Sequence, residues 1–367
     1  MPTDITAAVL RGANDPFTIE SLVLEDPQAN EVLVKMAGVG LCHTDLLSRE
    51  LPPEFFVGPT VHGHEGSGVV AGVGSDVTKV APGDHVVLTF NYCGACRACD
   101  KNRFPHCDNF LVYNMMGARP DGSKALKTSD GDPVGSHYFG QSSFASHALA
   151  TEQNVVKVDS TLPLELLGPL GCGVQTGAGA VLNTLGAESG SAIAIWGAGA
   201  LGLSAVMAAK VAGAEIIVAI DRHQSRLDKA TALGATHTVK VPDVDAGAEI
   251  QQIVLGGVDY GFDSTGNAGV VRTAFDSLNG IGTLAVAGVG LGTLELDMMS
   301  LVSGRTLTGV MEGDSVPDLF IPQLADLFAK GEFPFDELIT TFALDQINEA
   351  ERASAAGEVI KAVFVFE

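Results

Sequence analysis

Four cysteines, Cys93, Cys96, Cys99 and Cys107, share one short polar run, 92–108 (YCGACRACDKNRFPHCD), with the spacing C-x2-C-x2-C-x7-C. Four thiolates this close suit a tetrahedral Zn2+ with Zn–S bonds near ~2.3 Å, and a shell of four sulfurs leaves no position for substrate, so such an ion would be structural. Four thiolates also serve an iron–sulfur cluster, and without metal they are simply free thiols in a loop. The other two cysteines stand apart. Cys42 lies in GLCHTD (40–45), Cys172 in GCGVQTG (171–177), and HGHEG (62–66) falls between them. Two thiolates and one imidazole would make a three-ligand zinc site with an open fourth position, which is the catalytic kind. Spacing alone does not bring these segments together, and isolated cysteines also serve as small buried hydrophobes.

A third constellation is GAGALG at 197–202, in which Gly197, Gly199 and Gly202 form a GxGxxG. The motif carries weight because it follows a strand-like run and opens a helix-like one. Glycines there permit a tight turn, the close approach of a pyrophosphate and helix–strand contact, while the helix N-terminus attracts the anion. Asp221 ends the next strand-like run, roughly 20 residues on, where a carboxylate accepts from ribose hydroxyls and repels a 2′-phosphate. That favours NAD over NADP, although Arg222 beside it is able to receive a phosphate.

These residues need a scaffold, and two rhythms supply it. From about residue 174, strand-like runs (191–196, 215–220, 236–240, 258–263, 283–287, 306–310) alternate with helix-like ones (200–212, 225–233, 246–255, 268–278). Six such strands complete two mononucleotide-binding halves of a doubly wound parallel α/β sheet. Residues 1 to about 150 instead hold short β-like runs such as 31–36, 68–71 and 85–90, punctuated by Gly, Pro and Asn, which suggest a barrel- or sandwich-like β domain. The polar segment 117–135 reads as a long surface loop over the active-site side. After about residue 313, helices at 317–330 and 345–356 and a strand at 359–366 form a tail too short to fold alone, expected to pack on the first domain. The expected division is 1–173 with 314–367, and 174–313.

The chain's 367 residues are 46% hydrophobic, enough for a large core without disulfides. Acidic residues outnumber basic ones 44 to 21, a formal charge of −23, which disfavours nucleic acid and anionic membrane surfaces as partners. The first twenty residues lack a basic stretch followed by an apolar run, so a secretory leader is not expected and a cytoplasmic location is. The uncharged run 192–209 approaches the length of a membrane span, but its glycines and strand-like start mark it as buried strand, turn and helix.

With these residues in view, the chain resembles the zinc-containing medium-chain alcohol dehydrogenases over essentially its full length. The carriers are GLCHTD at 40–45, GHEGSG at 63–68, the four-cysteine run, GCGVQTG at 171–177 and GAGALG at 197–202, in order. NYCGAC, GCGVQTGAGAV, FGQSSFASHAL at 139–149 and GVMEGDSVPDLFIPQL at 309–324 point within the family to its aryl-alcohol branch. The resemblance implies a GroES-like, mainly β catalytic domain beside a Rossmann coenzyme domain, NAD, and two Zn2+ per chain. It makes Cys42, His64 and Cys172 the catalytic zinc ligands, leaving His62 a structural neighbour, and Cys93, Cys96, Cys99 and Cys107 the structural set. Glu65 would lie behind the metal and coordinate it transiently during ligand exchange. Asp45 would orient His64.

By the same resemblance an alcohol at the open zinc position ionises near neutral pH and gives hydride to nicotinamide, leaving an aldehyde. Thr44 would take the first step of proton release. Many relatives carry a histidine three residues further on, and this chain has Leu47 there. Arg226 is placed to contact ribose, with His43 and Lys361 near the pyrophosphate or, alternatively, as solvated surface charges. Phe139, Val289 and Val310 are the expected walls of an apolar pocket for a benzyl-type or allylic primary alcohol. Pairing of coenzyme-domain strands at 306–310 would give a homodimer or homotetramer.

Overall fold

The computed structural model describes residues 2–49, 56, 58–290 and 292–366, and the chain divides into two compact units. The first comprises Met1–Gly173, Val316–Ala329 and Asp336–Glu367; the second comprises Val174–Ser315 and Lys330–Phe335. The segment 330–335, expected with the first domain, groups with the second, where Phe333 and Phe335 are fully buried.

Among the described residues, two sheets build the first unit. Thr3–Leu10 pairs antiparallel with Thr18–Leu24 and with Thr60–Val61. The larger sheet runs in the order Val155–Lys157, His85–Leu88, Glu65–Val73, Glu31–Gly40, Lys361–Val365, Ile339–Phe342, with His147–Thr151 also on Glu31–Gly40. Val32, Val34 and Met36 alternate along their strand and meet Val70, Val86 and Leu88 in one cluster, as period-two patterning requires. Leu10, Leu22, Val61, Phe144 and Phe364 form another. The terminal strand pairs with Glu31–Gly40, so the C-terminal tail completes the first sheet system. Its parallel partner Ile339–Phe342 is not legible in the sequence, because the four residues ITTF give almost no alternation to read.

The segment 117–135 is not a free surface loop. Leu126–Lys127 pairs with the strand Thr18–Leu24 and with Pro133–Val134, and Ala125 and Val134 are fully buried. Arg119 within it is also buried.

The second unit holds a six-stranded parallel sheet in the order His237–Lys240, Ile216–Asp221, Ala192–Trp196, Val258–Asp263, Leu278–Val286, Thr306–Gly309. Counting strands along the chain, that order is 3-2-1-4-5-6, the doubly wound arrangement with a reversal beside its first strand. Ala192–Trp196 is buried throughout, as a strand covered on both faces must be. Leu278–Val286 starts earlier than its apolar run suggests, because an irregularity in its pairing with Val258–Asp263 lets the extended backbone begin directly after the preceding helix.

Candidate active site and metal centres

The strand ladder brings the first two dispersed ligands together. Gly40 is paired with Glu65 in the antiparallel register, so Cys42, two residues past one strand, and His64, one residue before the other, meet at the same sheet end. The third arrives on the short turn Gly168–Gly171. A Cβ at Gly168 would strike the Glu65 carbonyl oxygen and one at Gly171 the Leu88 carbonyl oxygen, so only glycine lets this turn lie against both strands. Thr89 Oγ1 donates to Gly171 O at 2.7 Å and fixes the turn one residue before Cys172.

The ligand atoms of Cys42, His64, Glu65 and Cys172 lie within 4.8 Å of one another. Asp45 is fully buried and organises them: its Oδ1 accepts from His64 Nδ1 at 2.7 Å and from Gly63 N at 3.0 Å, and its Oδ2 from Cys42 N at 3.0 Å. A carboxylate only accepts, so Nδ1 carries the proton and Nε2 presents its lone pair. That Nε2 is buried without a hydrogen-bond partner. A metal ion would satisfy it. Without one the position attracts a proton instead: burial lowers the His64 pKa, yet Asp45 and Cys42 pull it well above the ordinary value. The Cys42 thiol is held well below its usual range, first by Cys172, against burial, and then by His64 and Lys361. The cluster therefore calls for a cation, and two thiolates with one imidazole are a zinc donor set.

Glu65 stands behind this group. Its Oε1 accepts from Gly173 N at 3.0 Å, and Lys361 Nζ donates to both oxygens at 2.8 and 2.7 Å and to Leu41 O at 3.2 Å. Burial still pushes the Glu65 carboxyl above its ordinary range. Lys361 is 3% exposed. It is therefore not a solvated surface charge: the ammonium is paired with Glu65, whose buried charge would otherwise be uncompensated. Thr44 is half-buried, with Oγ1 3.8 Å from Cys42 Sγ and its carbonyl accepting from Tyr138 Oη at 2.8 Å. His43 is exposed. His62 is buried, with Nδ1 2.8 Å from Asp45 O and its ring stacked on Tyr138 at 4.3 Å, a structural role.

Of the expected pocket walls, Phe139 is buried and stacks on the His64 ring at 4.4 Å, and Val310 is buried. Val289 is 68% exposed, which is not how a side chain lining an enclosed apolar pocket sits. It follows the uncharged strand Leu278–Val286, and that run does not reveal where burial stops.

The four-cysteine lobe closes on itself. Cys96 Sγ lies 3.5 Å from Cys99 Sγ and 3.9 Å from Cys107 Sγ, and Cys93 Sγ lies 4.0 Å from Cys99 Sγ. A tetrahedron with ~2.3 Å bonds has edges of roughly 3.8 Å, so the sulfurs are spaced for one zinc ion and leave no room for a cluster's own sulfides. Cys93 N and Asn109 N donate to Cys107 Sγ, and Asp108 N to Cys96 Sγ, as thiolates require.

In the second unit, Gly197 has φ 90° at the end of its strand, and a Cβ on Gly202 would strike the Gly197 carbonyl oxygen. The helix Ala200–Ala212 opens at Gly199 without a side-chain cap. A cleft of about 840 Å3 adjoins it, lined among others by Gly197, Gly199, Asp221, Arg226, Trp196 and Asn267. Asp221 is buried, its carboxylate fixed by Ala198 N at 2.7 Å and His223 N at 2.8 Å. Trp196 Nε1 and Arg226 Nε are enclosed without hydrogen-bond partners. Uncapped amides, a fixed carboxylate and unmet donors on one cleft fit an adenine dinucleotide.

Comparison with known proteins gives the same picture. Residues 28–160 match the alcohol dehydrogenase GroES-like domain, and residues 200–330 the zinc-binding dehydrogenase domain. The chain is 44% identical to geraniol dehydrogenase of Castellaniella defragrans (strain DSM 12143 / CCUG 39792 / 65Phen), over 98% of this chain and 97% of that one. The crystal structure of an alcohol dehydrogenase zinc-binding domain protein from Burkholderia ambifaria superposes with a TM-score of 0.97 at 48% identity, over 100% of both chains. That of benzyl alcohol dehydrogenase from Acinetobacter calcoaceticus does so with a TM-score of 0.95 at 43% identity, again over 100% of both.

Proposed function

Because the chain belongs to the zinc-containing medium-chain alcohol dehydrogenases, we propose that it oxidises an aryl or allylic primary alcohol to the aldehyde, reversibly, with NAD as hydride acceptor. The enzyme is a zinc-dependent, NAD-linked alcohol dehydrogenase of small-molecule alcohols and aldehydes; the substrate class is the proposal. Geraniol and benzyl alcohol, named for two of its relatives, are both primary alcohols whose carbinol carbon adjoins a π system, which supports that class. The observation that carries the reading is the orphaned Nε2 of His64 between two buried cysteines.

Zinc held by Cys42, His64 and Cys172 would supply Lewis acidity at the substrate hydroxyl, and NAD in the Gly197–Gly202 cleft would take the hydride. The chain's own residues do the rest. Asp45 keeps the proton on His64 Nδ1 and so fixes the tautomer. The two thiolates would balance the dication, and Lys361 neutralises Glu65, so no surplus anion would oppose formation of an oxyanion. Thr44 Oγ1 receives the departing proton, its segment held by Tyr138 on the Thr44 carbonyl. Leu47 offers no base beyond it, so this chain supplies no side-chain acceptor at that position. Asp221 and Arg226 line that cleft and would hold the adenosine ribose, a carboxylate there favouring NAD over NADP.

The same reading takes the enzyme as a homodimer or homotetramer. Thr306–Gly309 ends the parallel sheet, and Met298, Met299 and Val302 nearby in sequence are each 70% exposed. Among the described residues no helix is long and apolar enough to cross a membrane.

The test is absorbance at 340 nm with NAD and benzyl alcohol or geraniol, beside Cys42→Ala and a zinc count by mass spectrometry. Turnover lost in Cys42→Ala, with about two zinc ions per wild-type chain, is the expected result. Two zinc ions with turnover only of aliphatic alcohols or glutathione adducts would move the substrate class. One zinc ion and no turnover of any alcohol would overturn the metal centre.

A further inference from the structure

The turn at 137–142 is held in a shape its residues disfavour. His137, Phe139 and Ser142 have φ of 60°, 52° and 51°, with Gly140 at 66°. Non-glycine residues are disfavoured in this region and persist there only where the surroundings over-determine them. On one side the determinant is a buried ion network. His137 Nε2 donates to Glu31 Oε1 at 3.1 Å, Ser136 Oγ meets His137 Nδ1 at 2.9 Å, and Arg119 grips the two Glu31 oxygens at 2.6 and 3.0 Å. Within the turn, Ser142 Oγ accepts from Tyr138 N at 2.9 Å and donates to Val61 O at 2.6 Å, while Asn154 Nδ2 donates to Phe139 O and Gly140 O.

Without that network the turn has somewhere to go. A cavity of about 250 Å3, lined by Glu31, Arg119, His137 and Gly140 among others, opens beside it. On its other side the turn bears on the metal centre. The Phe139 ring lies over the His64 imidazole at 4.4 Å and 30°, and Gln141 Nε2 donates to His64 O at 2.9 Å. Asp45 holds one edge of that imidazole, and Phe139 holds its face.

We propose that Glu31, Arg119 and His137 are positioning residues for the catalytic zinc: they brace the strained turn so that Phe139 lies flat on His64 and fixes the direction of Nε2. The inference rests on the reading of Cys42, His64 and Cys172 as zinc ligands, and on neither the substrate class nor turnover. Outer partners of metal-binding histidines typically contribute about 10–100-fold in metal affinity. Here the brace reaches the imidazole through one ring contact, while the turn's hydrogen bond from Gln141 holds only the His64 backbone.

The test reads zinc release. Enzyme carrying two zinc ions per chain is challenged with excess dipicolinate, and the rate for each ion is followed with a chromogenic chelator. His137→Asn tolerates the left-handed backbone but is too short to reach Glu31. It is expected to release one zinc about 10-fold faster and the other at the wild-type rate. Phe139→Leu removes the ring and should do the same, with the double variant no faster than the faster single one, because both act through one contact. With Co2+ in place of zinc, the visible absorption bands of the catalytic centre should shift in both variants. Should His137→Asn fail to fold, Glu31→Gln is read in the same way. Release at wild-type rates in both single variants, equal acceleration of both ions, or multiplied effects in the double variant would each overturn the proposal. A wild type holding one zinc ion would overturn the metal centre itself, which keeps the two failures apart.

Discussion

The two metal centres of the first unit are built on opposite principles. The four-cysteine lobe takes every ligand from 93–107, on short turns such as Cys99–Lys101 and Phe104–His106, with Cys93 and Cys96 partly exposed and only Cys99 and Cys107 buried, in one small aromatic cluster with Phe90, Tyr92, Tyr138 and Phe139. The other centre takes its ligands from Cys42 to Cys172 and delivers them on strand ends and a glycine turn. It surrounds them with Asp45, Gln141 and Lys361, all buried. One site is a loop that its metal must hold; the other is a scaffold rigid enough to keep an imidazole nitrogen unsatisfied. A structural ion belongs where the chain has few contacts of its own. A catalytic ion needs a site that survives each exchange of substrate.

Deleting one ligand from each centre sharpens this contrast most. Cys42→Ala should lower turnover by at least ~10^3-fold, since Lewis-acid stabilisation is worth several kcal/mol, while the scaffold keeps its thermal midpoint within a few degrees. Cys99→Ala should do the reverse in stability: a loss of at least ~3 kcal/mol, with proteolytic cleavage appearing inside 93–116. Zinc counts should fall by one in each. If Cys42→Ala opens the chain to protease as widely as Cys99→Ala, the distinction between a scaffolded and a metal-folded centre is gone.

A smaller effect comes from the brace. Although burial opposes ionisation, hydrogen bonds from His137 and Arg119 hold the Glu31 carboxyl down at about 2. A carboxyl whose pKa is depressed by folding adds stability above its unfolded value near ~4.3, and loses it as pH falls toward the folded value. The difference is on the order of 3 kcal/mol at neutral pH. Glu31→Gln should therefore be less stable than wild type at pH 7, by denaturant unfolding, with the gap shrinking between pH ~4.5 and ~2. A gap that is constant over this window would mean that Glu31 contributes packing and not charge.

How much of this was readable beforehand follows the same local-versus-distant divide. The four-cysteine spacing and the GxGxxG context were legible, because each is a short run whose neighbours settle its meaning. The parallel strands and helices of the second unit were legible from period and length, with boundaries adrift where a pairing irregularity intervenes. Cys42, His64 and Cys172 could be joined only through the family resemblance, since the register of Gly40 with Glu65 is not a property of either segment alone. The brace was invisible. Arg119 sits in a polar stretch that reads as solvated, and what buries it is Glu31, 88 residues away. The surface-charge reading of Lys361 fails for the same reason: a lysine opening an apolar strand looks solvated until its carboxylate partner is found. The one available signal was Glu31 itself, an acidic residue starting a strand that is otherwise almost wholly apolar.

The smallest predicted effect concerns how the proton leaves the scaffolded centre. Thr44 and Leu47 lie three residues apart in His43–Arg49, a 3-10 helix, in which residues i and i+3 eclipse. Whatever occupies position 47 thus stands directly beyond the proposed first proton acceptor. Leucine cannot pass a proton on, so alcohol oxidation should depend steeply on hydroxide, its rate still climbing above pH 8. Leu47→His places a base with a pKa near ~6.5 on the same face. It is expected to raise the oxidation rate at pH 6.5–7 by about 3- to 10-fold and to flatten the profile above it, with little change near pH 9. The rate–pH curve of both enzymes with one alcohol at saturating NAD decides the matter. If the two curves coincide, position 47 lies off the exit route. Thr44 would then pass its proton wholly to cofactor ribose and water, and the scaffold would govern the metal without governing the proton.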